Sequence, residues 1–266
     1  MLLPILIAAA QPAAAVPDAA PDPVVVSLVA GEGEAQCLPD RSLCLELPGG
    51  EGNVEAPRHL LVSSPASGDA EKVSLALPYG SDKQTLHLWP KLVPVSRTSE
   101  DGTRLPPEFL VGVIEEDRAM YSGGGGSGGR LHLLRLGTAP HAIRLGDEVL
   151  DVVWGSSLMI RACFSEQDMK DRLEACHDEY SFKGTLAAAP GDGGELPSLT
   201  YRSFATAYPQ TSRRTEDNSN RKLKKSDLAQ WTDPECSYTR TLHYNPATSR
   251  YEMDRAAPDC SVYTTP

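Results

Sequence analysis

The sequence predicts an all-β protein: an antiparallel propeller-like or sandwich-like assembly with one short helix near 165–176. Three observations point there. Short runs rich in β-branched, leucine and aromatic residues recur along the chain, separated by turn residues. Glycine and proline each occur 22 times, the usage of a chain that turns often. Apolar residues at helical spacing are almost absent outside one segment.

The chain opens MLLPILIAAAQPAAAVPD. Leu2–Ala10 is apolar but too short to cross a bilayer as a mature helix, and Ala13-Ala14-Ala15 offers a small-residue cleavage signal. Residues 1–15 therefore read as a secretory signal peptide, although no Lys or Arg marks their start. Residues 16–23 are rich in Pro and Ala and are expected to be disordered. A single all-β domain is expected over 24–266, with a possible boundary at 122–130.

Strand-like runs follow in order: Val24–Val29, His59–Val62, Val73–Leu77, Leu86–Trp89, Phe109–Ile114, Leu131–Leu136, Val149–Val153, Leu158–Cys163, Tyr180–Leu186 and Leu199–Tyr208. Pro48-Gly49-Gly50, Gly191-Asp192-Gly193-Gly194 and Asn245-Pro246 punctuate them. In the helix candidate, Ser165 can cap and Asp168 can close a capping box. Met169, Leu173 and Cys176 would then form its apolar face. At the C-terminal end, Cys236–Tyr244 alternates, Asn245–Ser249 turns and Arg250–Asp254 returns. Pairing Tyr244 with Tyr251 sets Leu242 opposite Met253. The same register brings Cys236 to within one residue of Cys260, a gap that a bulge near 256–258 would close.

Six cysteines in an exported chain read as three disulfides. Fifteen connectivities exist in principle. The spacings favour Cys37–Cys44, Cys163–Cys176 and Cys236–Cys260. No C-x-x-C and no H-x(3–5)-H occurs, so neither a metal nor any other cofactor is expected. The net charge of −11 disfavours nucleic acid as a partner, and no run is long enough for a membrane span.

The phrases IRACFSEQDM (160–169), ACHDEYSFKGTL (175–186), DPECSY (233–238) and PDCSVYT (258–264) together resemble a group of exported proteins of Gram-negative bacteria with no characterised function. The likeness covers about residues 120–266 and implies an envelope location, periplasmic or secreted. It carries no ligand and no site residue.

The run YSGGGGSGGRLHLLRL (121–136) formally contains both a dinucleotide-loop and a nucleophile-elbow pattern. Each of those must open a helix, whereas Leu131–Leu136 reads as strand. A flexible connection between two strands is the plainer expectation. The densest polar cluster is Cys176-His177-Asp178-Glu179-Tyr180, where His177, Asp178 and Glu179 are candidate acid/base or metal-binding residues. In a strand, His177 and Glu179 share one face and Asp178 the other; a solvated edge beside a disulfide explains them equally. Arg213, Arg214, Arg221, Lys222, Lys224 and Lys225 stand against Glu216 and Asp217, a candidate contact for an anionic envelope component or simply a polar loop. The six histidines are scattered, and the late tyrosines 201, 208, 238, 244, 251 and 263 suit core packing. The leading expectation is a non-enzymatic binding or structural envelope module. The alternative is a periplasmic hydrolase acting on glycan or peptide, using His177 with Asp178 or Glu179.

Overall fold

The computed structural model describes residues 25–48, 58–64, 69–80, 84–99, 101–103, 105–139, 142–188 and 196–266, without the side chains of 69–71. The expected signal peptide, the Pro/Ala-rich segment and the turn glycines at 49–50 and 191–194 lie outside these residues. Among the described residues the strands are β1 (Val26–Ser27), β2 (Val29–Ala30), β3 (Gln36–Cys37), β4 (Cys44–Glu46), β5 (His59–Ser64), β6 (Asp69–Ala76), β7 (Gln84–Val95), β8 (Glu108–Tyr121), β9 (Gly124–Ala139), β10 (Ala142–Arg161), β11 (His177–Ala188), β12 (Leu199–Tyr208), β13 (Trp231–Thr232), β14 (Thr239–Asn245) and β15 (Arg250–Met253). Two short helices accompany them, α1 (Glu166–Asp171) and α2 (Ser261–Thr264).

Strands β7 to β12 each pair with the next, an antiparallel meander inside a ten-stranded sheet ordered β1-β7-β8-β9-β10-β11-β12-β14-β15, with β13 added on β12. A second sheet is ordered β2-β3-β4-β5-β6. Its Leu43, Leu45, Leu60 and Val62 share one core with Leu92, Val111, Val113 and Leu134 of the large sheet. Of the two expected builds this is the sandwich-like one.

Face-to-face packing explains why two central runs do not alternate. Val111, Val113, Leu134 and Leu136 face the small sheet, while Leu110, Leu131 and Leu133 join a separate core with Trp89, Leu199 and Tyr251. A strand covered on both faces needs apolar residues at every position. Each fully buried leucine there contributes roughly 1.5–3 kcal/mol of transfer free energy.

The helix is shorter than its sequence suggests. Ser165 caps it as expected: Asp168 N donates to Ser165 Oγ at 3.2 Å, and Ser165 N donates to Asp168 Oδ2 at 2.8 Å. The helix stops at Asp171 because Leu173 and Glu174 adopt φ of 51° and 68°. That turn brings Cys176 back to Cys163, where they form a disulfide and Ala162 N donates to Cys176 O at 2.9 Å. The expected apolar face is thus corrected: Met169 and Leu173 are exposed, and the buried side chains of this segment are Arg172 and the small Ala175.

All three sequential disulfides are present, with no free cysteine. The C-terminal hairpin keeps the expected register, Tyr244 opposite Tyr251 and Leu242 opposite Met253. Cys260 reaches Cys236 without a bulge, because the chain leaves the ladder after Met253.

The glycine run is not the flexible connection its composition suggests. Only Ser122 and Gly123 form the turn, and Gly124–Gly129 lie within β9 between β8 and β10. Small size is required there by close neighbours. A Cβ on Gly126 would meet Ser157 O at 2.6 Å, and one on Gly128 would meet Pro266 Cδ at 3.1 Å and Thr264 O at 3.2 Å. Gly124 also has a φ of +152°, which L side chains rarely adopt. The C-terminal helix closes over this strand. Tyr263 packs with Leu158, Tyr180 and Ala207, its hydroxyl donates to Asp233 at 2.9 Å, and Ser156 Oγ donates to its carbonyl.

Candidate functional site

Cross-strand register assembles a polar ladder that no single segment carries. Arg118 on β8 stands opposite Ser127 on β9, Ser127 opposite Ser157 on β10, Ser157 opposite Ser181 on β11, and Ser181 opposite Thr206 on β12. Residues two apart on a strand share a face. Met120, Gly125, Met159 and Glu179 therefore form the adjacent row on the same face. On the other side, Glu116, Gly129, Gly155, Lys183 and Phe204 continue it. Gly125 lies between Met120 and Met159, which are 86% and 45% exposed, and the Met120 sulfur packs over it, where a Cβ would come within 2.6 Å.

The result is an open trough of about 630 Å3 running across the strands. Its floor is one layer of sheet, backed on the far side by Leu158, Tyr180 and the closing helix. Ser127 Oγ and Ser157 Oγ lie 3.5 Å apart, and Ser181 Oγ and Thr206 Oγ1 lie 2.7 Å apart. Gln230 Nε2 donates to Thr206 Oγ1 at 3.1 Å. Arg118 Nε donates to Glu116 at 2.8 Å, so the cation at the end of the ladder is matched. Among the described residues, the ladder hydroxyls bond to one another and to Gln230, and no histidine or carboxylate bonds to them. The surface offers neutral hydroxyls flanked by Arg118 and Glu179, between apolar shoulders.

A second polar constellation sits where the two sheets meet. His132 on β9 is nearly buried, with Nδ1 at 2.9 Å from Glu148 Oε2 and 3.7 Å from Asp151 Oδ1, both on β10. The Tyr79 ring, which follows β6, stacks on His132 with centroids 4.2 Å apart. The Tyr79 hydroxyl and the Arg250 guanidinium both donate to Glu148. Burial pushes the Glu148 carboxyl up, but the bonds from Tyr79, Arg250 and His132 outweigh it and hold the group below its ordinary range. Burial, and then the Glu148 carboxylate, push the Tyr79 phenol upward.

His132, Glu148 and Asp151 could bring three donor atoms within 4.8 Å of one another. Their present partners compete with a cation. Glu148 accepts from Tyr79 and Arg250 and is hydrogen-bonded to His132 Nδ1, and Asp151 accepts from Arg130 Nε at 2.7 Å. The unpartnered buried nitrogen, Nε2, is on the other side of the ring, 3.5 Å from Glu115 Oε2. None of these residues lines the trough. Tyr79 belongs to the chain leaving the small sheet and Arg250 to β15, so the cluster works as a tie between layers.

The sequence-derived candidates fall in different places. His177 and Glu179 are exposed and Asp178 is buried, as strand alternation predicts. Asp178 Oδ1 accepts from Arg172 Nη2 at 2.6 Å, and Arg172 also donates to the carbonyls of Ala175 and Asn218. His177 lies opposite Arg161, with no hydrogen bond or ion pair of its side chain among the described residues. Glu179 lines the trough.

In the basic stretch the arginines turn inward. Arg213 donates to the carbonyls of Gln210 and Ser212 and lies over the Trp231 ring at 4.0 Å. Arg214 donates to the carbonyls of Ser261, Val262 and Thr265, and Arg221 to that of Thr211. Arg221 also pairs with Glu216, and Lys222 lies 3.3 Å from Asp171. Lys224 and Lys225 are exposed. A guanidinium has five donors and suits carbonyl-rich loops, so much of this charge serves folding.

No protein-family model, curated protein or solved structure matches this chain. Three disulfides and no free thiol are the pattern of an oxidising compartment. Among the described residues no helix is long and apolar enough to cross a membrane. Neither the ladder nor His132 stood out in sequence. For His132 a signal existed: with Arg135, it is one of two polar residues in the apolar run Leu131–Leu136.

Proposed function

We propose that this chain is a non-enzymatic binding module of an exported protein, periplasmic or secreted, and that its ligand seats in the trough across β8 to β12. The observation that carries the reading is the juxtaposition of the Ser127, Ser157 and Ser181 hydroxyls from three adjacent strands in an open groove, with buried Thr206 bonded behind Ser181 and, among the described residues, no base bonded to any of them. Its apolar shoulders, Met120 and Met159, are too exposed to serve the core. The resemblance of residues 120–266 to exported Gram-negative proteins favours an envelope setting.

The test is co-sedimentation with isolated, insoluble envelope polymers. Ser157 is exposed, so Ser157→Trp fills the groove without entering the core. The wild-type chain is expected to sediment with the polymer and Ser157→Trp to remain in solution. Charge reversal at Lys222, Lys224 and Lys225 is expected to leave sedimentation unchanged. Equal retention of Ser157→Trp, or release by the lysine reversals, would move the binding surface away from the trough.

A further inference from the structure

We infer that the ligand of the trough is a neutral, polyhydroxylated chain, a glycan, lying across the strands. This rests on the reading of the trough as the binding surface and adds the class of ligand.

Geometry comes first. Ser127, Ser157, Ser181 and Thr206 sit on consecutive strands whose backbones are about 4.8 Å apart, a spacing close to the length of one pyranose ring, and their hydroxyls are drawn together in two pairs. A chain of sugar rings crossing the sheet meets Ser127, Ser157 and Ser181 in turn and then Gln230, which covers the buried Thr206 hydroxyl. Gly125 gives the Met120 thioether room to lie across the floor, where a Cβ would come within 2.6 Å of its sulfur, so Met120 with Met159 offers an apolar seat at that end. Methionine is unbranched and polarizable, and adapts to the mixed C–H and hydroxyl surface of a sugar.

The hydrogen-bond chemistry agrees. In the Ser127–Ser157 and Ser181–Thr206 pairs either oxygen can be the donor. A ladder of groups that both donate and accept matches a ligand whose own hydroxyls do the same. An extended peptide has a fixed alternation of donors and acceptors and usually docks on a free strand edge. Here the hydroxyl-bearing residues of β9 to β12 are paired on both sides, and among the described residues only Arg118–Tyr121 of β8, which pair with β9 alone, leave an edge.

Charge excludes an anionic polymer as the preferred ligand. Arg118 is paired with Glu116, and Glu179 and Lys183 on the same face cancel. The whole chain carries a net charge of −11, which repels a polyanion.

The experiment is a titration of the full chain followed by amide chemical shifts. The probes are a six-residue β-linked glucose oligomer, a six-residue β-linked N-acetylglucosamine oligomer, a six-residue galacturonate oligomer and an uncharged hexapeptide. At least one neutral oligosaccharide is expected to move the amides of Gly125, Ser127, Ser157, Ser181 and Thr206, with the galacturonate and peptide weaker. Ser157→Ala and Ser181→Ala are each expected to weaken that binding about fivefold, the loss of one neutral hydrogen bond. If the peptide or the galacturonate moves the trough amides and neither neutral oligosaccharide does, the glycan inference fails while the trough stands. If no probe moves them, both fail.

Discussion

Pro266 closes over Gly128. The last residue of the chain lies against a strand more than half the sequence away, so close that a Cβ on Gly128 would meet its ring at 3.1 Å. The trough occupies the opposite face of the same strand. Closure by the C-terminal helix therefore sets the shape of the floor on which the ligand is proposed to lie.

The glycines of β9 should not be equivalent. A Cβ on Gly126 meets a backbone oxygen at 2.6 Å, which no side-chain rotation relieves. On Gly129 the nearest atom would be at 3.5 Å, an ordinary contact. Gly126→Ala is expected to destabilise by about 1–3 kcal/mol. Gly129→Ala is expected to be neutral or to stabilise by up to about 1 kcal/mol, through loss of unfolded-chain entropy. Denaturant unfolding of the two variants checks this; equal stabilities would contradict the close approach.

Arg172 and Asp178 form a buried pair, with side chains 1% and 4% exposed. Arg172→Met leaves Asp178 buried and unpaired, which should cost about 3–5 kcal/mol. The double variant Arg172→Met with Asp178→Leu should recover part of that loss, because it removes both charges. A double-mutant cycle by denaturant unfolding measures the coupling. Additive effects of the two substitutions would show that the pair is not coupled.

Glu148 gives a pH signature. Its folded value lies below its ordinary one, so its stabilisation is fully present above the unfolded value, near 4.3. It is lost as pH falls from there through the lower folded value. Melting temperatures of the wild type and Glu148→Gln should therefore converge on acidification below about pH 4. Parallel curves over that range would show that the bonds from Tyr79, Arg250 and His132 do not favour the carboxylate.

What was legible in the sequence was local. The Ser165 cap, the Tyr244–Tyr251 register and the sequential disulfides depend on residues close in the chain, and the structure has all three. What was hidden depends on distant partners. Gly124–Gly129 looks like a loop until Thr264 and Pro266 are placed on it. The α1 segment reads as a longer helix until its disulfide forces the return at Leu173. The ladder takes one residue from each of several strands, so no window of sequence contains it. The prominent clusters were legible as composition, yet Arg172 occupies Asp178, and Arg213 and Arg214 occupy backbone carbonyls.

The most direct test of the trough as a binding surface uses methionines already in the chain. Met120 and Met159 form its shoulder at 86% and 45% exposure, and Met169 on α1 is 46% exposed but does not line it. Dilute peroxide oxidises exposed methionine to the sulfoxide, and mass spectrometry of peptides reads each site. In the presence of saturating envelope polymer, oxidation of Met120 and Met159 is expected to slow several-fold while that of Met169 is unchanged. Unchanged rates at Met120 and Met159 under conditions where the chain is bound, or protection of Met169 alone, would contradict the account.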